Sequence, residues 1–190
     1  TERPWNDPFR DVRTSDWFYS GVKFAYQHGL FQGTSADTFS PDEPMTRAML
    51  VTVLWRMDGK PDTAGGSSFT DVPRGQWYTE AVAWAAENGV VNGVGGGKFE
   101  PDGNVTREQI ATILYRYAGL RGVPTGGRAD LGSFPDGGAV SSWAYDALSW
   151  ANAAGLIAGT REGGVDYLAP QQNATRAQVA VILMRYLGAA

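Results

Sequence analysis

Thr106-Arg-Glu-Gln-Ile-Ala-Thr-Ile-Leu-Tyr-Arg-Tyr-Ala-Gly119 decides how this chain folds, because close relatives of it occur twice more. One is Thr46-Arg-Ala-Met-Leu-Val-Thr-Val-Leu-Trp-Arg-Met-Asp-Gly59, and the other is Thr175-Arg-Ala-Gln-Val-Ala-Val-Ile-Leu-Met-Arg-Tyr-Leu-Gly188. Ile110, Ile113, Leu114 and Tyr117 follow the i, i+3, i+4, i+7 spacing of an amphipathic helix. Leu50, Val53, Leu54, Met57 and Val179, Ile182, Leu183, Tyr186 repeat it. Thr at the start suits an N-cap, and Gln109 and Gln178 three residues on complete a capping box that Met49 lacks.

Outward from these helices the periodicity continues. Trp17, Trp77 and Trp143 correspond, and Gly29, Gly89 and Gly155 follow twelve residues later. Each interval predicts a first helix, over about 17–28, 77–88 and 143–154, stopped by a glycine that accepts a left-handed C-cap. A loop follows with a shared Gly (Gly33, Gly93, Gly159), a bulky apolar residue (Phe39, Phe99, Leu168) and a Pro (Pro41, Pro101, Pro170). The proline separates the two helices. Each unit opens with Phe-x-Asp, at Phe9-Arg-Asp11, Phe69-Thr-Asp71 and Phe134-Pro-Asp136. The third unit has three extra residues between its helices, in Gly159–Tyr167. The expected units are 1–59, 69–119 and 134–190, with Gly-rich linkers at 60–68 and 120–133. A two-helix unit of this size cannot bury its stripe alone, so the three must pack together.

Composition narrows the function. The 190 residues are 43% hydrophobic, which predicts a folded chain. The net charge of −4 argues against a nucleic-acid partner, because phosphate binding needs a basic footprint. Thirteen of the 16 basic residues are Arg, a bias that suits bidentate capture of carboxylates and equally suits a GC-rich genome. With no Cys and a single His (His28, at a helix end), metal clusters, thiol chemistry and His-based triads have little material. Gly95-Gly-Gly97 lacks the Gly-Lys-Ser/Thr of a phosphate loop. No apolar run approaches the ~18 residues of a membrane span. A chain opening Thr-Glu-Arg-Pro is expected to be a mature protein or a piece of a longer one. No catalytic constellation emerges.

Two repeated oddities carry the chemistry. Arg47, Arg107 and Arg176 follow the cap directly, where a positive charge meets the positive end of the helix dipole at a cost of roughly 0.3–1 kcal/mol. Either a structural carboxylate (Asp11, Asp71 or Asp136) compensates, or an anionic ligand does, held jointly by guanidinium and free helix N–H groups. Arg56, Arg116 and Arg185 lie in the last turn, where positive charge is favoured, and read as structural. The aromatics Phe24, Trp84 and Trp150 sit beside the first helix's stripe. They suit either packing against a neighbouring unit or a platform for a sugar ring.

Taken together, Phe-x-Asp-Val, Trp-Tyr-x-x-Ala-Val, Asn-Gly-Val-Val-Asn-Gly, Gly-x-Phe-x-Pro-Asp and Thr-Arg-Glu-Gln resemble the S-layer homology domain, as a set of three over about residues 9–188. The second copy matches best. The third departs at Gly137 and Gln171 and in its longer loop, and the first carries Met49 within the motif. The resemblance implies an all-α fold of three helix-loop-helix repeats, pseudo-threefold about a central three-helix bundle made from the first helices, with grooves between repeats. It implies a non-catalytic, cofactor-free module outside the bacterial cell. Such a module attaches a larger exported protein to secondary cell-wall polysaccharide, often through pyruvylated N-acetylmannosamine. The family's motif falls on Thr46, Arg47, Thr106, Arg107, Gln109, Thr175, Arg176 and Gln178, with Arg expected on the ketal carboxylate. Gln109 and Gln178 stand where the family usually has Glu. Gly93 and Gly159 are expected in the grooves, and Phe24, Trp84 and Trp150 beside the sugar. The alternative is a protein-interaction module for lateral surface-layer assembly or peptidoglycan binding.

Overall fold

In the computed structural model, which describes residues 2–188, the six expected helices form. They are α1 (Tyr19–Gln27), α2 (Arg47–Met57), α3 (Thr79–Glu87), α4 (Arg107–Leu120), α5 (Tyr145–Ala153) and α6 (Arg176–Gly188). Thr1, Ala189 and Ala190, at the outer edges of the first and third units, lie outside the described residues. The first helices begin two residues later than expected, which leaves Trp17, Trp77 and Trp143 in the turns before them. Gly29, Gly89 and Gly155 end these helices at φ of 69°, 67° and 72°, as left-handed C-caps do. The three extra residues of the third unit form a hairpin, β1 (Thr160–Glu162) antiparallel to β2 (Val165–Tyr167), turning on Gly163 and Gly164 at positive φ. Nothing in the helical periodicity marked it.

Each helix stripe is buried across a unit boundary. The helices pair as α2 with α3, α4 with α5, and α6 back onto α1, so the units close into a ring. Gly21 lies at the closing seam: a Cβ there would stand 2.6 Å from the Val181 methyl and 2.9 Å from the backbone of α6. The pseudo-threefold axis appears in the backbone itself. Met45 N–H donates to Ala174 O (2.8 Å), Ala174 N–H to Val105 O (2.8 Å), and Val105 N–H to Met45 O (2.9 Å). These three fully buried residues immediately precede the N-caps of α6, α4 and α2. At the far ends the Tyr117 and Tyr186 rings lie 6.1 Å apart, and the Tyr117 hydroxyl reaches the Asp58 carboxylate. The second helices therefore gather about the axis, and not the first helices as the resemblance implied. The first helices supply the outer member of each pair.

Candidate functional site

The cap of each second helix is complete without any ligand. Thr46 Oγ1 accepts from Met49 N–H, while Thr106 with Gln109 and Thr175 with Gln178 close full capping boxes. The next two amides are spent on the neighbouring unit: Arg47 and Ala48 donate to Gly103 and Pro101, Arg107 and Glu108 to Gln172 and Pro170, Arg176 and Ala177 to Glu43 and Pro41. The expectation that free helix N–H groups would help hold an anion is corrected, because neighbouring backbone has taken them.

The arginines also reach into the next unit. Arg47 Nε donates to Phe99 O (2.7 Å), Arg107 Nε to Leu168 O (2.8 Å) and Arg176 Nε to Phe39 O (2.9 Å). The Phe-x-Asp carboxylates hold the other side of the same residues. Asp71 accepts from Phe99 and Glu100 N–H, Asp136 from Leu168 and Ala169, and Asp11 from Phe39 and Ser40, all within 2.9 Å. Asp grips the N–H and Arg the C=O of one loop residue, three times over. The clamp explains how Ser40, Glu100 and Ala169, none of them glycine, hold φ of 55°, 57° and 48°. A structural carboxylate is not the direct partner of these arginines. Among the described residues these arginines make no ion pair, and backbone carbonyls take the guanidinium. Burial pushes all three below the ordinary Arg pKa. Glu100 and Asp71 near Arg47, Asp136 near Arg107, and Glu43 and Asp11 near Arg176 oppose this from a distance.

Three symmetry-related grooves open beside these clamps. One is bordered by Arg47, the Val91–Val94 loop, the Gln109–Arg116 face of α4 and Trp143. The second joins Arg107, the loop from Leu156 to Arg161, the Gln178–Arg185 face of α6 and Trp17. The third joins Arg176, the Leu30–Gly33 loop, the Met49–Arg56 face of α2 and Trp77. Every groove thus draws on all three units. Each is lined by at least two guanidiniums and by no carboxylate, in a chain whose net charge is −4. Arg56, Arg116 and Arg185, read as structural, line the grooves as well. Arg56 and Arg185 donate to Leu30 O and Leu156 O, while Arg116 is exposed.

The structure sorts the expected site residues into two groups. Arg47, Arg107, Arg176, Gln109, Gln178, Gly93 and Gly159 come together in the grooves. Gly93 must be glycine because the Phe69 ring of the Phe-x-Asp turn lies against it, 2.7 Å from where a Cβ would stand. Thr46, Thr106 and Thr175 are caps beside the grooves. Trp84 and Trp150 are corrected: at 2% and 3% exposure they are core, edge-on to Tyr117 and Tyr115, with no face left for a sugar. Phe24, the third of that set, is half-buried, stacks on His28 at 4.0 Å and lines none of the three grooves. The aromatics at the groove mouths are Trp17, Trp77 and Trp143, exposed by 66%, 58% and 57%. Their signal was in the sequence: an indole repeated three times that belongs to no helical stripe. Among the described residues no group of three or more His, Cys, Asp or Glu is placed to hold a metal, and no helix is long and apolar enough to cross a membrane.

Known proteins are similar to this chain in sequence. The family model for the S-layer homology domain matches residues 8–48, 68–111 and 133–180. An endoglucanase from Bacillus sp. (strain KSM-635) is 32% identical over 180 residues, 95% of this chain and 19% of that protein. The surface-layer 125 kDa protein of Lysinibacillus sphaericus is 31% identical over 91% of this chain and 14% of its own length. The S-layer protein sap of Bacillus anthracis is 33% identical over 56% of this chain and 13% of its own. The chain thus spans less than a fifth of each relative. With three matched segments covering well over half of its residues, it belongs to the S-layer homology domain family, as three tandem repeats that form one surface-anchoring module on the outside of a bacterial cell.

Proposed function

We propose that the module is a non-catalytic anchoring lectin. Its grooves take secondary cell-wall polysaccharide by a pyruvylated N-acetylmannosamine unit and tether a larger exported protein to the wall. The observation that carries this reading is the composition of the grooves: paired guanidiniums, no carboxylate, and one exposed indole at each mouth. A ketal carboxylate suits the guanidiniums, and a charge-assisted hydrogen bond to it is worth roughly 1.5–3 kcal/mol. The indole face suits the apolar C–H side of the sugar ring. Gly33, Gly93 and Gly159 line the grooves, and their amides, which have no acceptor among the described residues, are further neutral donors. A polymer that enters more than one groove gains avidity without new contacts.

The test is binding to sacculi before and after chemical removal of the wall polysaccharide. Loss of binding on removal is expected. Undiminished binding to stripped sacculi would refute the lectin and point to peptidoglycan or protein as the partner.

A further inference from the structure

The three grooves share one plan, but their arginines are not equally occupied by the protein. Arg176 is the most satisfied. Beyond Nε, its Nη2 donates to Gln32 O (2.9 Å) and its Nη1 contacts Met49 Sδ (3.8 Å). Its guanidinium also lies over two rings, Phe31 at 5.3 Å and Phe39 at 4.8 Å. Arg47 comes next, with Nη2 on Asn92 O (2.9 Å) and one ring, Phe99 at 4.6 Å. Among the described residues Arg107 makes only its Nε bond. The residue at the Phe39 and Phe99 position is Leu168, which offers no π face, and among the described residues Arg107 makes no bond to the carbonyl of Ala158, the counterpart of Gln32 O and Asn92 O.

Cavity size follows the same order: about 140 Å³ beside Arg176, 210 Å³ beside Arg47 and 510 Å³ beside Arg107. Only the last falls within the roughly 300–1,000 Å³ of small-molecule sites. Arg107 is only 5% exposed, so both of its unpartnered amino groups sit in a largely dehydrated setting where an anion is attracted more strongly than in water. Among the described residues no side-chain nitrogen shut off from solvent lacks a partner, so these amino groups open into the groove. The hairpin of the third unit extends the same groove by Thr160 and Arg161, and Arg185 is a third guanidinium in its lining.

Building on the anchoring reading, we infer that the Arg107 groove is the principal anion site of the module and that Met49 closes the Arg176 groove. Where the other two copies place Gln109 and Gln178, the first places a thioether that fills the space and occupies the last amino group of Arg176.

Calorimetric titration of the intact module with a pyruvylated N-acetylmannosamine monosaccharide tests this, with the unpyruvylated sugar as control. One dominant site is expected. Arg107→Ala should weaken it by about 10- to 100-fold, the loss of one or more charge-assisted bonds, and Arg176→Ala by less than about 2-fold. Because Arg107 also holds Leu168 O, Met49→Gln supplies an arm that leaves Arg107 untouched: by releasing one amino group of Arg176 it should strengthen the weak binding in that groove while the dominant site keeps its affinity. Three equal sites, an Arg176→Ala loss matching that of Arg107→Ala, or no gain from Met49→Gln would overturn the inference while leaving the anchoring lectin intact. If the parent bound the unpyruvylated sugar as tightly as the pyruvylated one, both would fall.

Discussion

Gly21→Ala separates a closed ring of repeats from an open row by the sign of its effect. In a helix interior free of neighbours this change stabilises by about 1 kcal/mol, because alanine is the better helix former. At the α1–α6 seam the new Cβ would meet the Val181 methyl at 2.6 Å and the Val181 Cα and N at 2.9 Å. The methyl can rotate away, but Cα and N belong to the α6 backbone, so the two helices must part. Overpacking of this kind costs about 1–3 kcal/mol, and backbone contact puts this case in the upper half of that range. The net expectation is a loss of about 1–2 kcal/mol, or roughly 2–8 °C in Tm for a chain of this length. Ala81 and Ala147, at the equivalent positions of the other two seams, already carry a Cβ, and Ala81 is fully buried, so Ala81→Gly should cost about 1 kcal/mol of helix propensity and roughly 0.8 kcal/mol more for the lost buried methyl. Urea unfolding of the parent and both variants reads these differences directly. If Gly21→Ala proved more stable than the parent, α1 would not be seated on α6. The groove that pairs Trp17 with α6 would then have to be abandoned.

Asp71 offers a pH-dependent check on the loop clamp. Burial pushes its carboxyl up, but the Phe99 and Glu100 amides outweigh this and hold it below the ordinary 3.8. A depressed folded pKa contributes stability above the unfolded value, and that contribution is lost as the pH falls through the folded one. Asp71→Asn keeps a single side-chain oxygen and should therefore cost about 1–2 kcal/mol at pH 7, with the difference from the parent shrinking below about pH 4. A difference unchanged at pH 3 would show that the charge is not what matters. The two kinds of tryptophan should part in opposite ways. Trp150→Ala should cost about 3–5 kcal/mol of stability as a core truncation. Trp17→Ala should cost less than about 0.5 kcal/mol yet weaken wall binding severalfold in a sacculus sedimentation assay.

Much of the fold could be read from the chain because repetition triples every weak signal. Thr-Arg with its stripe marked the second helices, and the glycines at 29, 89 and 155 marked the ends of the first. What periodicity could not supply was phase and partner. Trp84 and Trp150 lie seven residues after the opening indoles, two helical turns on, where an aromatic can face either solvent or a neighbouring unit. Only the placement of α3 and α5 against α2 and α4 settles that they face inward. The hairpin at 160–167 was visible only as a length difference. Its strands are three residues each, too short for alternation to register. The carbonyl partners of Arg47, Arg107 and Arg176 lay beyond any sequence rule, since a backbone oxygen leaves no trace in residue identity.

The same geometry gives a reason for the number three. Each groove takes its buried arginine from one unit, its loop and helix face from the next, and its indole from the one after. A single repeat contains every ingredient and no site. Two repeats would unite an arginine with its loop and leave the mouth without an indole. Three, closed by α1 on α6, complete all of the grooves at once. The helix pairs that bury the core are also the seams along which the grooves open, so the contacts that stabilise the fold are those that position the binding groups. Within that shared frame a groove can change without disturbing the others. Met49 alters only a groove wall, and the hairpin lengthens only one loop, while the backbone ring of Met45, Val105 and Ala174 keeps its three hydrogen bonds. The ring fixes where the arginines stand, and the loop and helix residues around each decide how much of its charge is left for a ligand.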